Sequence, residues 1–467
     1  MENKTGFKPN MMSWLLLLTL AIGYSFAFAV LGGEKNLWEY MAAYALFWGL
    51  YLLAYYLCLW KRVRAKREAW FLLGAVLVLF LHSALYKEQV LTTMNFLILP
   101  LTLMLHAVVG AFEFPGDAAW PWARAYLLGW FLYPFSAIGK WFAALGALFG
   151  HSEGDDGAKA AKRNIILGIL CGLPVLFVVC ALLLEADQAM GAAISSLLEA
   201  LPHISLGRLA VMLIVAVLFY SFLYNFAWGK EGDTLPVLGQ KNAKAFLPAH
   251  SLLAGISMLL LAYLVFAIFQ FTYLTGWKGL PAGLTYSKYA VSGFGQLLWV
   301  AAINLGVFSL GLCCTQPHKA LKPFLFALLI ATAGVLLSAF VRLGLYIHAY
   351  ALTWKRVLSL WLMLYLGVAV MLCGLRLSGR GLVSRAGLLR ICALLLVGWY
   401  VALNLVNVEG MIAESIFGLA DSRGGILSQT DADYLRYDLS EDVREAIQNS
   451  RYREQVYYDV RPADLPE

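Results

Sequence analysis

The chain of 467 residues is apolar and poor in charge, with 61% hydrophobic residues, 13% charged residues and a formal net charge of +7. Soluble domains carry about 25% charged residues, so this chain has too little charge to cover a water-exposed surface of its size. The composition therefore excludes a soluble globular protein. Long apolar stretches recur almost from end to end and predict a multi-pass membrane protein.

Eleven predicted membrane helices follow one another, each close to the roughly 20 apolar residues that a bilayer core about 30 Å thick requires. They lie at 13–32, 38–60, 69–85, 91–112, 164–184, 207–228, 250–275, 293–313, 323–346, 356–376 and 390–408. The predicted fold class is all-α, a polytopic integral membrane helix bundle. We divide it into N-terminal transmembrane helices (1–112), a cytoplasmic loop with an interfacial or re-entrant helix (113–163), a transmembrane core (164–408) and an acidic extracytoplasmic tail (409–467).

The orientation follows from a dense basic loop between the second and third predicted helices. It contains Lys61, Arg62, Arg64, Lys66 and Arg67, and basic loops of membrane proteins face the cytoplasm. In the cell membrane, this places the N-terminus in the cytoplasm and, with an odd number of spans, the C-terminus outside. Because the basic residues lie between hydrophobic spans, we expect the lipid bilayer as their partner and no nucleic acid.

A further apolar segment, 120–148, leaves a twelfth span open. Arg124 and Lys140 lie within it and Pro134 interrupts it. If this segment crossed the membrane, the basic loop that follows would lie outside, against the charge rule. An interfacial or re-entrant helix keeps the charge pattern consistent, and we favour that interpretation.

The tail from residue 409 onward combines 13 acidic with 6 basic residues. Thr430 and Ser440 are each followed by acidic residues and are predicted N-caps of two short helices. Residues 455–460 are predicted to form a short strand. About 60 residues is small for an independent domain without disulfides, so we expect the tail to pack on the outer membrane face.

Arg342 is the sharpest candidate for a ligand-binding residue within the membrane. Tyr346 and Tyr350 follow it at i+4 and i+8, on one face of the predicted span. An Arg in lipid is costly, so it should face protein, a cavity or the interface. It either holds an anion or a lipid headgroup through its guanidinium, or reaches the interface beside the two Tyr rings.

Four amides and a Tyr form further polar faces within predicted spans. Gln296 and Asn304 share one helical face, and Tyr400, Asn404 and Asn407 share another. Amides in lipid need hydrogen-bond partners. Interhelical hydrogen bonds are one interpretation of these residues, and a substrate path is the other.

Catalytic chemistry has little support in the sequence. Glu185 and Asp187 are candidate acidic residues at the outer interface, but at a spacing of two they point to different helical faces, which disfavours a paired acid–base site. The cysteines and histidines show no metal-ligand spacing, and no phosphate-binding loop or nucleophile motif occurs. We therefore expect no metal and no cofactor.

Short motifs give the chain a resemblance to a known family over about residues 164–445. These are 183–187 (LLEAD), 269–274 (FQFTYL), 283–290 (GLTYSKYA), 293–294 (GF), and Tyr434-Leu435 with Leu439-Ser440 and Asp442 in the tail. They resemble bacterial membrane proteins of the domain-of-unknown-function 4153 and 4173 families. Glu185, Val291 and Ser292 depart from the family pattern. The resemblance implies a bacterial host and a polytopic fold, and it implies no activity.

The leading hypothesis is a non-enzymatic envelope scaffold, sensor or assembly partner that binds another membrane or envelope protein. The most elaborate water-exposed segments gather outside, and the predicted spans lack a charged relay. One alternative is a secondary transporter or lipid-handling protein that uses Arg342. The other is a membrane transferase at the outer interface, which would depend on Glu185, Asp187 or a carboxylate of the tail.

Overall fold

The structure, a computed structural model, describes residues 9–31, 37–64, 66–112, 120–148, 206–228, 247–274, 294–313, 315–379 and 385–457. Apart from one isolated bridge between Leu247 and Thr315, the regular structure of these residues is helical. This confirms the predicted all-α fold class.

Fourteen helices lie in the described residues up to Ser422. They are α1 (Pro9–Leu31), α2 (Leu37–Val63), α3 (Arg67–Leu85), α4 (Gln89–Ala111), α5 (Trp120–Phe131), α6 (Tyr133–Ser136), α7 (Ile138–Leu148), α8 (Leu206–Trp228), α9 (Ala249–Leu274), α10 (Phe294–Cys313), α11 (Leu321–Tyr350), α12 (Trp354–Leu377), α13 (Arg385–Asn404) and α14 (Val408–Ser422). Ten of these, α1–α4 and α8–α13, are long and apolar enough to cross a membrane. They match ten of the eleven predicted spans, and the remaining one, 164–184, lies outside the described residues.

The described residues fall into two compact units. The first contains α1, α2, the beginning of α3 up to Gly74, the end of α4 from Pro100, α5 from Ala123 onward, and α6–α8. In this unit α1 packs against α8 and α2. Gly23 of α1 lies so close to α8 that a β-carbon there would overlap the Met212 carbonyl, so a small residue permits the close approach of the two helices.

Two residues of the basic loop bind helix ends in the first unit. The Arg62 guanidinium donates to the Ala227 carbonyl at 3.2 Å, near the end of α8. The Lys66 ammonium donates to the Phe112 carbonyl at 2.7 Å, just after α4. The last carbonyls of a helix lack intrahelical partners and attract cations. The basic loop therefore lies at the C-terminal ends of α4 and α8.

The segment 120–148 is divided into three helices of 12, 4 and 11 residues. At a rise of 1.5 Å per residue, none of the three crosses a 30 Å core alone. Two buried side chains of α8 satisfy the backbone at the breaks. Ser221 and Asn225 each donate to the Tyr133 carbonyl at 2.8 Å, and the Ser221 hydroxyl accepts the Ala137 N–H at 2.9 Å. Interrupted helix within a membrane protein requires this kind of internal pairing; an interfacial or re-entrant placement stays a prediction.

The second unit contains α3 from Ala75, α4 up to Leu99, α9–α13 and the C-terminal residues. Helices α10, α11 and α12 pack against one another, α9 packs on α11, and α13 packs on α12. Residues 408–457, which we term the cap, comprise α14, α15 (Gln429–Asp433), a π-helical turn (Tyr434–Asp438), a 3-10 turn (Glu441–Val443), α16 (Arg444–Gln448) and α17 (Arg453–Tyr457). Buried cap residues share one hydrophobic cluster with Leu79, Leu91 and Trp354.

Details of α13 and the cap differ from the sequence predictions. Helix α13 ends at Asn404 rather than at 408, and α14 begins after a three-residue bend. Ser440 is confirmed as an N-cap, but the other short helix is capped by Ser428 and not by Thr430, because the Ser428 hydroxyl accepts the Asp431 N–H. The predicted strand is wrong for residues 455–457, which belong to α17 and bury Val456 in the cap.

Candidate functional site

A carboxylate is buried where the last membrane helix meets the cap. Glu409, in the first turn of α14, is 4% exposed. One of its oxygens accepts the Trp354 indole N–H at 3.2 Å, and the other accepts the Ser440 N–H at 3.0 Å and the Ser440 hydroxyl. A negative charge is also favoured at a helix N-terminus. A single side chain therefore joins the start of α12, the start of α14 and the far part of the cap.

A second buried acid lies in the hairpin between α3 and α4. Glu88 is 7% exposed, and one of its oxygens lies 3.5 Å from His82 Nε2. Its other oxygen has no hydrogen-bond partner among the described residues. Burial raises the pKa of Glu88 above its usual range; the charges of Glu409 and Asp442 add to this rise and His82 opposes it. In the hairpin Glu88 therefore stays protonated to a higher pH than a glutamic acid exposed to water.

The same hairpin also contacts the cap at its surface. The Lys87 backbone N–H donates to the Asp442 carboxylate at 2.7 Å, and the Lys87 ammonium donates to the Glu441 carboxylate at 2.6 Å. Both side chains of the ion pair are more than half exposed, so the pair adds little stability. The ion pair aligns the hairpin with the cap. The stability of this contact comes from the buried cluster that the cap shares with Leu79 and Leu91.

The turn between α11 and α12 receives further groups from the cap. The Leu352 N–H donates to the Ser415 hydroxyl at 3.0 Å, and the Trp354 N–H donates to the Tyr434 hydroxyl at 2.9 Å. In this turn Ala351 has φ 59° and ψ −174°, a region that residues other than glycine rarely occupy. The cap contacts hold the turn in this strained conformation. We term Glu88, His82, Trp354, Glu409 and Ser440 the junction site.

Tyr400 and Asn404, two of the predicted polar residues, lie in a buried network with Asn95 and Ser83. The Asn95 amide donates to the Asn404 oxygen at 2.7 Å and to the Ser83 hydroxyl at 3.0 Å, and the Tyr400 hydroxyl donates to the Asn95 oxygen at 2.7 Å. These bonds join α3, α4 and α13. Asn407 is not part of the network: it lies beyond the end of α13, is exposed, and caps α14.

Arg342 is buried in α11, with 7% of its surface exposed. The Tyr346 and Tyr350 rings lie 5.4 Å apart, centroid to centroid. The cation above the Tyr346 ring is Arg356 of α12, at 4.0 Å, and Arg356 also donates to the Tyr350 and Ala351 carbonyls. Both Tyr rings therefore contact Arg356 beside the turn between α11 and α12. Arg342 lies one helical turn before Tyr346 and two before Tyr350.

The remaining predicted residues lie apart from the junction site. Asn304 accepts the Tyr263 hydroxyl at 2.6 Å and donates to the Thr332 hydroxyl at 3.0 Å, which links α9, α10 and α11. Gln296 is exposed on α10. The described basic-loop residues belong to the first unit. Glu185 and Asp187 lie outside the described residues.

Glu88, Glu409 and Asn95 are not among the residues predicted from the sequence to form a site. Glu88 stands in a short loop that reads as an ordinary polar turn, and Glu409 is one acid among many in the tail. A usable signal was present, because Glu409 directly follows a predicted membrane helix and Glu88 lies within three residues of two of them. Within the described part of the chain, no group of three or more His, Cys, Asp or Glu side chains is placed to hold a metal ion.

Comparison with known proteins gives one family. The family described as "Domain of unknown function (DUF4153)" matches residues 71–450, a range that contains the whole junction site. It also extends the resemblance seen over 164–445 toward the N-terminus. No curated protein and no solved structure matches the chain. Since the match covers well over half of the sequence, the chain belongs to the DUF4153 family.

Proposed function

We propose that this membrane protein is a non-enzymatic scaffold, sensor or assembly partner in a bacterial cell envelope, and that the cap is the surface it presents to a partner. The observation that carries the proposal is the buried Glu409, which accepts two hydrogen bonds from Ser440 within the cap and a third from Trp354 of α12. A tail without such an anchor would present no defined surface. The partner is another membrane or envelope protein.

The charge rule supports an outward-facing cap. If the basic loop faces the cytoplasm and the number of spans is odd, the tail that contains the cap lies outside.

The described surface of the cap is polar and carries an exposed aromatic residue. Tyr437 is 70% exposed, and the Arg436 guanidinium lies 5.1 Å from its ring centroid. Tyr and Arg are enriched in the centres of protein–protein interfaces. The exposed charges nearby in the sequence are of both signs, with Asp438 and Glu445 acidic and Arg436 and Arg444 basic, so a partner of complementary mixed charge suits this part of the cap.

Site-specific photocrosslinking in intact cells tests the proposal. A photoreactive residue replaces Tyr437, and a control replaces Trp299, which is 73% exposed on membrane helix α10. We expect a discrete protein adduct from position 437 that disappears in Glu409→Ala and persists in Glu414→Ala, an exposed position on the same helix. Adducts with chaperones and translocon components alone, or an adduct that Glu409→Ala leaves unchanged, would contradict the proposal.

A further inference from the structure

Helices α9 and α11 begin together and then leave a groove between them. Near their first residues, the Leu247–Thr315 bridge and the His250–His318 ring pair, with centroids 5.0 Å apart, hold the two chain segments together. Further along, a cavity of about 720 Å³ separates residues 260–267 of α9 from residues 327–341 of α11. Its lining is almost entirely apolar, and the lining residue Leu337 is 65% exposed on the lipid-accessible side.

One hydroxyl in this apolar lining has an unusual environment. Serines in membrane helices usually donate to the carbonyl four residues earlier, and Ser257, Ser309 and Ser359 do so at 2.7–2.8 Å. The Ser338 hydroxyl lines the groove and is shielded from solvent, yet it has no hydrogen-bond partner within the described residues. It therefore offers a donor to an oxygen atom that occupies the groove.

Arg342 follows Ser338 at i+4 and lies one residue beyond Val341, the last residue of α11 that lines the groove. Side chains of an α-helix lean toward its N-terminus, so the Arg342 side chain leans toward Ser338. Arg342 is 7% exposed. A guanidinium presents several N–H donors in a planar fork that suits phosphate. The end of the groove near Ser338 thus combines a hydroxyl donor with a cation.

The depth of Arg342 in the membrane suits a lipid phosphate. Helix α11 has 30 residues and is about 45 Å long, so about 7 Å extends beyond a 30 Å core at each end. Arg342 lies eight residues, about 12 Å, before the last residue of α11, Tyr350. This puts its Cα about 5 Å inside the hydrocarbon boundary, within reach of the headgroup region. From there the groove follows α11 back to Ala327, a distance of about 20 Å.

We propose that this groove is a binding site for one phospholipid. An acyl chain lies between α9 and α11, Arg342 binds the phosphate, and the Ser338 hydroxyl donates to a phosphate or ester oxygen. The long apolar walls match the chain, and the cation at the headgroup level matches the anionic phosphate. The proposal is independent of the cap and of the function proposed for it.

Two glycines of α11 provide a matched pair of variants. A β-carbon at either Gly334 or Gly344 would meet nothing within 4 Å, so both positions accept a side chain without a clash. Gly334 lines the groove and Gly344 does not. Gly334→Leu fills the groove, whereas Gly344→Leu makes the same chemical change outside it.

Native mass spectrometry of the full chain, delipidated in detergent, provides the measurement. The protein is titrated with phosphatidylglycerol and with diacylglycerol of the same acyl chains. We expect Gly334→Leu, but not Gly344→Leu, to lose one tightly bound phosphatidylglycerol. We expect Arg342→Gln to reduce the preference for phosphatidylglycerol over diacylglycerol by about ten- to hundredfold, the contribution of a charge-assisted contact.

Three results would overturn the proposal. Equal phosphatidylglycerol binding by the two glycine variants would exclude the groove as the lipid site. This test remains valid even if Arg342→Gln fails to fold. Binding of inorganic phosphate with the same dependence on Arg342 and without lipid would identify a free anion as the ligand. A dimer lost only in Gly334→Leu, with lipid binding unchanged, would assign the groove to a second copy of the chain.

Discussion

Replacing Glu409 by Ala tests how the cap is anchored. The change leaves the buried Trp354 indole N–H and the Ser440 backbone N–H without their acceptor. Only the Trp354 bond links the cap to a membrane helix, because Ser440 and Glu409 both belong to the cap. A hydrogen bond to a charged group contributes about 1.5–3 kcal/mol. We therefore expect opening of the cap to become easier by about 2 kcal/mol, which corresponds to roughly a thirtyfold increase in the open population.

Cysteine labelling measures that population. Ala413 of α14 is 1% exposed, so in a background without native cysteines, Cys at this position reacts with a maleimide only when the cap opens. We expect labelling about thirtyfold faster in Glu409→Ala and about fivefold faster in Glu409→Gln, which retains one acceptor oxygen. The control is Glu414→Ala, at an exposed position of the same helix. A rate in Glu409→Ala within threefold of this control would refute the anchoring role.

Three further changes probe other features by thermal unfolding in detergent. Because the pKa of Glu88 is raised in the folded state, the folded protein binds more protons than the unfolded chain, and wild-type stability should fall as pH rises above about 4.5. Glu88→Gln should lack this fall. Identical pH profiles of the two proteins would contradict the prediction. Ala351→Gly should fold normally, whereas Ala351→Val should lose about 2 kcal/mol or more, because a β-branched residue tolerates φ 59° poorly; equal stabilities would argue against strain. Ser221→Ala should cost about 1–3 kcal/mol by orphaning the Ala137 N–H, and the exposed control Ser309→Ala should cost little.

The membrane helices were predictable because their signal is local. Length and apolarity alone decide whether a segment can cross a bilayer, and ten described spans fall where these two properties place them. The division of segment 120–148 into three helices could be predicted only in part from the sequence. Pro134 and the two charges argue against a single span, but the α8 side chains that stabilise the breaks are about 90 positions further along the chain.

The junction site was not predictable because it depends on contacts between distant residues. In the junction site Trp354 and Glu409 are 55 positions apart, and in the neighbouring polar network Asn95 and Asn404 are 309 apart. Periodicity puts Tyr400, Asn404 and Asn407 on one helical face, whereas α13 ends at Asn404, because nothing local in the sequence marks that end. The pairing of Arg356 with the Tyr346 ring depends in the same way on how α12 returns beside α11.

The close approach of α1 and α8 at Gly23 has a consequence for biosynthesis. About 200 residues separate the end of α1 at Leu31 from the end of α8 at Trp228, and at 5–20 residues per second the ribosome needs on the order of 10–40 s to make them. The Gly23 face of α1 therefore waits in the bilayer for its partner. The Thr19 and Ser25 hydroxyls donate to carbonyls of their own helix at 2.9 and 2.8 Å, so these two buried groups stay paired while α1 lies in lipid during this interval.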